Sequence, residues 1–280
     1  MKTGQVVSMD GKNLHIRVMG AGDKTVVLLP GWGLPLPTVE FAPLMRDLAE
    51  HYKVCALEFF GYGYSDPTDR LHTNENYMQE IRQALQMAGL QPPYTLLPYS
   101  CAGIYCEYYA AKHPEEVEAL ILLDTTPTVE EFAKKIVLSD KEEAKYLKIK
   151  PSKWQEKLIP LYMKLAGKKQ IHIQAGYTYA ELKAIHAVGN HMPTLVAQFK
   201  ALPDNLREVA ALDATIEVPI VVISSDDAKK SEEARKLHLE RLGNAAKHVV
   251  VEGSKHLDIY WKRDFRKIIL QELEGIKNGK

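Results

Sequence analysis

Short runs of apolar residues alternate with helix-like segments along most of this chain, and this alternation limits the folds it can adopt. A strand–helix repeat places the strands in one mostly parallel sheet with helices on both faces. The sequence therefore predicts an α/β fold, a mostly parallel central sheet flanked by helices. The predicted strands are 25–30, 52–58, 94–98, 117–124, 218–225 and 246–253, after an N-terminal hairpin on the turn DGKN. The predicted helices lie near 38–50, 73–89, 102–112, 231–242 and 262–275.

The alternation is interrupted once, between about Thr126 and Ala214. This stretch has no strand pattern and contains charged, amphipathic segments such as KPSKWQEKLIPLYMKLAG, whose apolar residues share one helical face. We therefore predict a core domain built from residues 1–125 and 215–280. Residues 126–214 are predicted to form an all-helical cap insertion.

Length and charge narrow the class of protein. A chain of 280 residues that is 46% hydrophobic can bury one large core. Its 36 basic and 36 acidic residues balance, so we expect no nucleic acid and no anionic membrane as partner. No run approaches the ~20 apolar residues of a membrane span, and the N-terminus lacks the apolar core of a signal peptide. We expect a cytoplasmic protein with a small-molecule substrate.

The three cysteines are Cys55, Cys101 and Cys106, and they show neither an even disulfide framework nor a CxxC metal spacing. We expect free thiols. No metal cluster or dinucleotide glycine motif is found in the sequence, so no cofactor is predicted.

The segment PYSCAG, residues 98–103, offers two adjacent nucleophiles between a predicted strand and a predicted helix. A side chain on such a sharp turn is exposed, and helix N-terminal amides lie beside it. The turn requires small residues two positions before and after the nucleophile. Ser100 meets this with Ala102, and with Pro98 at the strand end, whereas Cys101 would place the large Tyr99 there. The register favours Ser100.

Three further segments follow predicted strands: PGWG at 30–33, EFFGYGYSD at 58–66 and GSKH at 253–256. Together with PYSCAG, and in this order, they resemble the α/β-hydrolase family over nearly the whole chain. In that family the corresponding segments usually read HGxG, DxxGxGxS and GxxH. Pro30 and Pro98 replace a usual histidine and a usual glycine, and neither change removes a catalytic group. The insertion resembles the family's cap domain.

The resemblance implies roles for particular residues. Ser100 would attack an acyl carbonyl, and His256 would be its general base. The backbone N–H groups of Trp32 and Cys101 would bind the oxyanion. Four other histidines, His51, His113, His238 and His248, are predicted to lie at the surface.

The acid of the triad has two candidates. Most family members carry it as GxxD after the seventh strand, yet here VPIVVIS leads into SDDAKK, and Asp227 lies slightly out of place. Some relatives carry it directly after the sixth strand, where LILLDTTP provides Asp124. An aspartate at that position can also cap its own turn. Asp124 and Asp227 remain alternatives.

The leading hypothesis is a serine hydrolase, of the carboxylic ester type, acting on an ester, lactone or small amide through an acyl-enzyme. The alternatives are a non-hydrolytic lyase on the same scaffold and a ligand-binding receptor derived from it. We predict an apolar pocket roof. The predicted substrate contacts are Tyr99, Trp154, Tyr162 and His191.

Overall fold

The structure is a computed structural model that describes residues 4–149, 172–212, 216–243 and 246–278. Eight strands form one sheet in the spatial order β1-β2-β4-β3-β5-β6-β7-β8. The first two pairings, β1 with β2 and β2 with β4, are antiparallel, and the remaining ones are parallel. The strands are Gln5–Met9, Lys12–Met19, Thr25–Leu29, Lys53–Leu57, Tyr94–Pro98, Val117–Leu123, Ile220–Ser225 and Ala246–Val251. The α/β prediction is confirmed, and the sheet is mostly parallel.

The central strands are buried on both faces. Every residue of β3 and of β5 is buried, as is expected for a parallel sheet covered by helices on both sides. Successive side chains point to opposite faces, so Val27 and Leu29 join one hydrophobic cluster while Val26 and Leu28 join the other. The core is therefore two apolar layers with the sheet between them, and the parallel strands end at one common edge.

Helices of the core domain follow the predicted positions with one difference. They are α1 Pro37–Glu40, α2 Ala42–Leu48, α3 Asn74–Met87 and α4 Ala102–Lys112. The single helix predicted near 38–50 is divided into α1 and α2 around Phe41. Pro43 lies in the first turn of α2, where it has no backbone N–H to continue the hydrogen bonding of α1.

The insertion lies between β6 and β7, and its described residues contain helices and no strand. These helices are α5 Glu130–Ala133, α6 Asp140–Tyr146, α7 Tyr179–Ala187 and α8 Met192–Ala210. Buried leucines of α8, including Leu195 and Leu206, belong to the same hydrophobic cluster as the core helix α4. The described part of the insertion is thus packed on the core, and the proposed domain limits stay predictions.

Two helices complete the chain, α9 Glu232–Leu242 between β7 and β8, and α10 Arg263–Lys277 after β8. A short 3-10 segment, Asp226–Ser231, joins β7 to α9. Across the described ranges, the structure contains no helix with the length and apolarity needed to cross a membrane.

Candidate active site

Ser100 lies on a tight turn between β5 and α4. Its φ is 57°, in the left-handed region that is strained for a residue with a side chain. Backbone hydrogen bonds hold the turn, since Ser100 N donates to Leu123 O at 3.1 Å and Tyr99 N donates to Leu29 O at 2.9 Å. A Cβ on Gly31 would lie 2.7 Å from the Ser100 Cβ. The PGWG loop therefore passes directly over Ser100, and this close approach requires glycine at position 31 because any side chain there would collide with the serine.

His256 brings its ring to Ser100 from the turn that follows β8. Its Nε2 lies 3.1 Å from the Ser100 Oγ, and its Nδ1 lies 2.6 Å from Asp124 Oδ2. A carboxylate only accepts hydrogen bonds, so this contact places the proton on Nδ1 and leaves Nε2 to accept from the serine. The three side chains form one hydrogen-bonded row.

Asp124 follows the last residue of β6 directly, with a left-handed φ of 43°. Its side chain is buried, and it accepts hydrogen bonds from Ser225 N at 3.0 Å and from Ser225 Oγ at 2.6 Å. Burial acts to raise the pKa of the Asp124 carboxyl, but the hydrogen bonds from His256 and Ser225 outweigh it, so this pKa lies below its ordinary value. The carboxylate is therefore charged beside the imidazole.

Asp227 also contacts His256, but at a different group. Its Oδ2 accepts the backbone N–H of His256 at 3.2 Å. The structure thus places Asp124 against the imidazole ring and Asp227 against the main chain. Asp227 also lies on the wall of the cavity next to Ser100.

The neighbouring Cys101 is 3% exposed, and burial raises the pKa of its thiol to about 12. Such a thiol stays protonated at neutral pH and is a poor nucleophile. Cys101 directly precedes α4. Among the described residues, the amides of Cys101 and Trp32 donate to no backbone oxygen, and hydrogen bonding from these two amides to the Cys101 thiol partly opposes the rise of its pKa. The Trp32 indole donates to Leu195 O at 2.8 Å, which ties the loop over Ser100 to helix α8.

The predicted substrate contacts are placed elsewhere or lie outside the described residues. Tyr99 is 1% exposed, and its hydroxyl donates to His256 O at 3.0 Å. Its ring stacks on the imidazole, with 4.8 Å between the two ring centroids. It supports the histidine and is not among the lining residues of the cavity beside Ser100, and its predicted substrate contact stays a prediction. His191 caps α8 by hydrogen-bonding Thr194, away from the cavity lining. Trp154 and Tyr162 are outside the described residues.

A cavity of about 270 Å³ opens beside Ser100. Its lining residues are Ser100, Asp124, Thr125, Thr126, Pro127, Phe132, Asp227, Ser231, Arg235 and His256. Most of the described lining residues have polar side chains, and the predicted apolar roof stays a prediction because Trp154 and Tyr162 lie outside the described residues. Sequence reasoning missed Ser225 and Arg235. The only signal for Ser225 was its position at the end of β7, next to the end of β6.

Behind Arg235 lies a buried charged cluster. His238, predicted to be at the surface, has no exposed area, and its Nε2 lies 2.9 Å from Glu107 Oε1. Burial lowers the pKa of His238. Arg241 and Thr128 also hydrogen-bond Glu107. The surface prediction for His238 was wrong because α9 packs this face against α4, a contact that the charged helix sequence EEARKLHLERL does not reveal.

Comparison with known proteins, by sequence and by structure, finds similarity to hydrolases. Residues 24–157 match the sequence model described as the alpha/beta hydrolase fold. Uncharacterized protein YbdG of Bacillus subtilis is 34% identical over 121 residues, which are 43% of this chain and only 37% of YbdG. Serine hydrolase BPHL of Mus musculus is 24% identical over 276 residues, 95% of this chain and 85% of BPHL.

Among solved structures, a putative epoxide hydrolase from Pseudomonas aeruginosa superposes with a TM-score of 0.71 at 15% identity. The match covers 98% of this chain and 96% of that one, and at this identity it shows the fold alone. The family match and the names of the relatives support a hydrolase. With its sheet order, its strand–turn–helix at Ser100 and these similarities, the chain has the α/β-hydrolase fold.

Proposed function

We propose that this protein is a serine hydrolase that cleaves an ester, lactone or small amide through an acyl-enzyme on Ser100. The observation that carries the proposal is the hydrogen-bonded row from Ser100 Oγ through His256 to Asp124, with contacts of 3.1 Å and 2.6 Å. A serine hydroxyl is a weak nucleophile until a neighbouring base removes its proton. This row supplies that base and a charged group behind it.

In the first step Ser100 Oγ attacks the substrate carbonyl carbon while its proton moves to His256 Nε2. Asp124 stabilises the imidazolium that forms, because its carboxylate stays charged and holds the Nδ1 proton. The proton then passes to the leaving alcohol or amine as its bond to carbon breaks. Water, activated by the same imidazole, hydrolyses the acyl-enzyme and restores Ser100.

The oxyanion of the tetrahedral intermediate would accept hydrogen bonds from the amides of Trp32 and Cys101. Two features support this assignment: the close passage of the Gly31 loop over Ser100, and the position of Cys101 at the start of α4. Helix α8 would hold the loop in place through the Trp32 indole and Leu195. The hole is therefore a joint product of core and insertion.

The nucleophile separates this proposal from another reaction of the same fold. Dehalogenases and epoxide hydrolases of this fold carry an aspartate at the position of Ser100, whereas here the turn carries a hydroxyl. The likeness to an epoxide hydrolase structure therefore concerns the scaffold. Ester or amide cleavage is the chemistry that a serine, histidine and carboxylate in a row perform.

Pre-steady-state kinetics with p-nitrophenyl acetate test the acyl-enzyme. We expect a burst of nitrophenolate of about one equivalent per enzyme, followed by steady turnover. Ser100→Ala should abolish both phases, while the matched control Cys101→Ala, which removes a buried thiol, should retain the burst. Loss of the burst in Cys101→Ala and its survival in Ser100→Ala would assign the nucleophile to the cysteine. A folded wild-type protein that releases no nitrophenolate would favour a lyase or a binding protein.

A further inference from the structure

The residues that line the cavity beside Ser100 favour a substrate with a polar group. Apart from Pro127 and Phe132, its lining side chains carry hydroxyl, carboxyl, imidazole or guanidinium groups. Ligand pockets are usually lined mainly by apolar and aromatic side chains. A purely hydrocarbon acyl chain would offer no partner to the polar atoms of these lining residues that lack one in the described chain, Thr125 Oγ1 and Arg235 Nε, which is unfavourable.

Arg235, on helix α9, supplies the strongest donor of this wall. It is 5% exposed, its Nη2 donates to Thr125 O, and its Nη1 lies 3.3 Å from His238 Nδ1. Its Nε has no hydrogen-bond partner among the described residues, and within them none of its hydrogen bonds reaches a carboxylate. A buried guanidinium usually meets a carboxylate, since its planar fork of five N–H donors fits two carboxylate oxygens.

The neighbouring acids do not fill this role. Glu107 hydrogen-bonds His238 and Arg241, and Asp124 hydrogen-bonds His256 and Ser225. Their charges favour the charged form of Arg235 through space and make no hydrogen bond to it. Arg235 thus has one buried donor, Nε, without a partner among the described residues, and its side chain lines a cavity that also contains Ser100.

A second positive feature lies at the same wall. Ser231, which lines the cavity, precedes the 11-residue helix α9, and its side chain does not cap the helix. The N-terminal end of a helix carries a partial positive charge that favours an anion. Asp227 contributes the opposite charge to the same cavity. Glu232 and Glu233 in the first turn of α9 offset the partial charge of the helix, so an anionic group is best accommodated at Arg235 itself.

We propose that Arg235 binds a carboxylate of the substrate, so that this enzyme prefers esters, lactones or amides that carry a carboxylate. The part of this proposal that concerns which bond is cleaved depends on the proposed function above. Binding of the carboxylate can be measured without turnover. With its carbonyl at Ser100 and its carboxylate at Arg235, a substrate is held at two points, which restricts its orientation for attack.

Two pairs of esters test the preference and the side of the substrate that carries the charge. Mono-p-nitrophenyl adipate is compared with p-nitrophenyl hexanoate for an acyl-side carboxylate, and para-acetoxybenzoate with its methyl ester for a leaving-group carboxylate. In at least one pair, we expect Arg235→Gln to lower the ratio of kcat/KM for the anionic over the neutral ester by about ten- to a hundredfold. Arg235→Lys should retain part of the ratio because it keeps the charge.

Arg241→Gln is the matched control, because Arg241 is on the same helix, pairs with Glu107 and is not part of the cavity lining. It should leave the ratio unchanged, while Asp227→Asn should raise it by removing a negative charge. A merely structural Arg235 would lower the rates for both esters equally. An unchanged ratio in Arg235→Gln for both pairs would overturn the proposal.

Binding gives a readout that is independent of turnover. In the Ser100→Ala variant, glutarate should raise the melting temperature more than the neutral glutaramide does, and Arg235→Gln should remove the difference. Equal effects of the two compounds in Ser100→Ala would overturn carboxylate binding. If no burst forms at Ser100 yet the glutarate difference persists, the proposed function fails and the carboxylate site stands. If Arg235→Gln does not fold, the same comparison is made with Arg235→Met, which also removes the charge and keeps an unbranched side chain.

Discussion

Two neighbouring parallel strands, β6 and β7, are each followed by an aspartate that contacts His256, and the two contacts differ in kind. Asp124 follows β6 directly, is buried and meets the imidazole ring at 2.6 Å. Asp227 lies in the 3-10 segment after β7, is partly exposed and meets the backbone N–H of the same histidine at 3.2 Å. Nearness to a histidine therefore does not define a catalytic acid. Contact with the ring, where the positive charge develops, is what the chemistry requires.

The difference between the two loops arises from how each carboxylate is supported. Ser225 donates both its backbone N–H and its hydroxyl to Asp124, so the last residue of β7 orients the acid at the end of β6. Because β6 and β7 pair in parallel, these residues meet at the same edge although they are 101 positions apart. The β7 loop thus assists the acid, and we propose that it does not supply it.

The largest effect that distinguishes the loops should come from Asp124→Asn. The amide cannot hold the Nδ1 proton of His256 in the same way or stabilise the imidazolium, and the equivalent change in a serine protease triad lowers kcat by about 10⁴-fold. We expect kcat for p-nitrophenyl acetate to fall by about 10³- to 10⁴-fold, measured by steady-state kinetics on folded protein.

Asp227→Asn is the matched control for that change. Its amide oxygen can still accept the His256 N–H, so kcat should stay within about tenfold of the wild type, less than about 1.4 kcal/mol of barrier. If Asp227→Asn is instead the inactive variant, the acid lies after β7. If both single variants are active, the double variant separates mutual substitution, which predicts collapse, from a site that needs only serine and histidine.

A smaller effect should follow from Ser225→Ala, which removes one of the two donors that orient Asp124 while keeping the backbone one. A hydrogen bond to a charged group contributes about 1.5–3 kcal/mol. Part of this acts on the orientation of the acid, and we expect kcat to fall about tenfold.

Ser224→Ala is the neighbouring control, since the Ser224 hydroxyl lies 3.0 Å from His248 Nε2 and does not contact Asp124. The kcat of Ser224→Ala should equal that of the wild type. Equal losses in the two serine variants would mean that the end of β7 acts through general stability and has no specific effect on the acid.

The smallest effect concerns stability at low pH. The pKa of Asp124 is lower in the folded protein than its ordinary value of about 3.9, so its charged form stabilises the fold above that value. This contribution disappears as the pH falls below about 4 and through the folded pKa. The difference in free energy of unfolding between wild type and Asp124→Asn, measured in urea, should therefore shrink from pH 5 to pH 3. A constant or growing difference would contradict the charged, hydrogen-bonded state of this carboxyl.

Much of the fold could be predicted from local pattern. The runs YTLLP and VEALILLD correspond to β5 and β6 within one residue at each end, because buried strands require continuous apolar sequence. The helix predicted near 38–50 was less accurate, since its regular apolar pattern concealed the effect of Pro43. Sequence patterns thus locate elements well and describe their interruptions poorly.

The candidate site was predictable only where a motif fixes the position of a residue. Ser100 followed from the small residues around its turn, and His256 from the resemblance of GSKH, after the last strand, to the family segment GxxH. Ser225 and Arg235 carried no such signal, because their contacts join distant parts of the chain and Arg235 reads as one more charge on a polar helix. The choice between Asp124 and Asp227 depended on the direction of a side chain, which spacing alone does not determine.

Fluorophosphonate labelling with peptide mapping tests the Ser100–His256–Asp124 row most directly, since it reports the nucleophile and its activation together. We expect a single adduct on the peptide that contains Ser100, formed at a wild-type rate in Asp227→Asn and at least a hundredfold more slowly in Asp124→Asn. An adduct on Cys101, or slow labelling in Asp227→Asn with a normal rate in Asp124→Asn, would contradict the account.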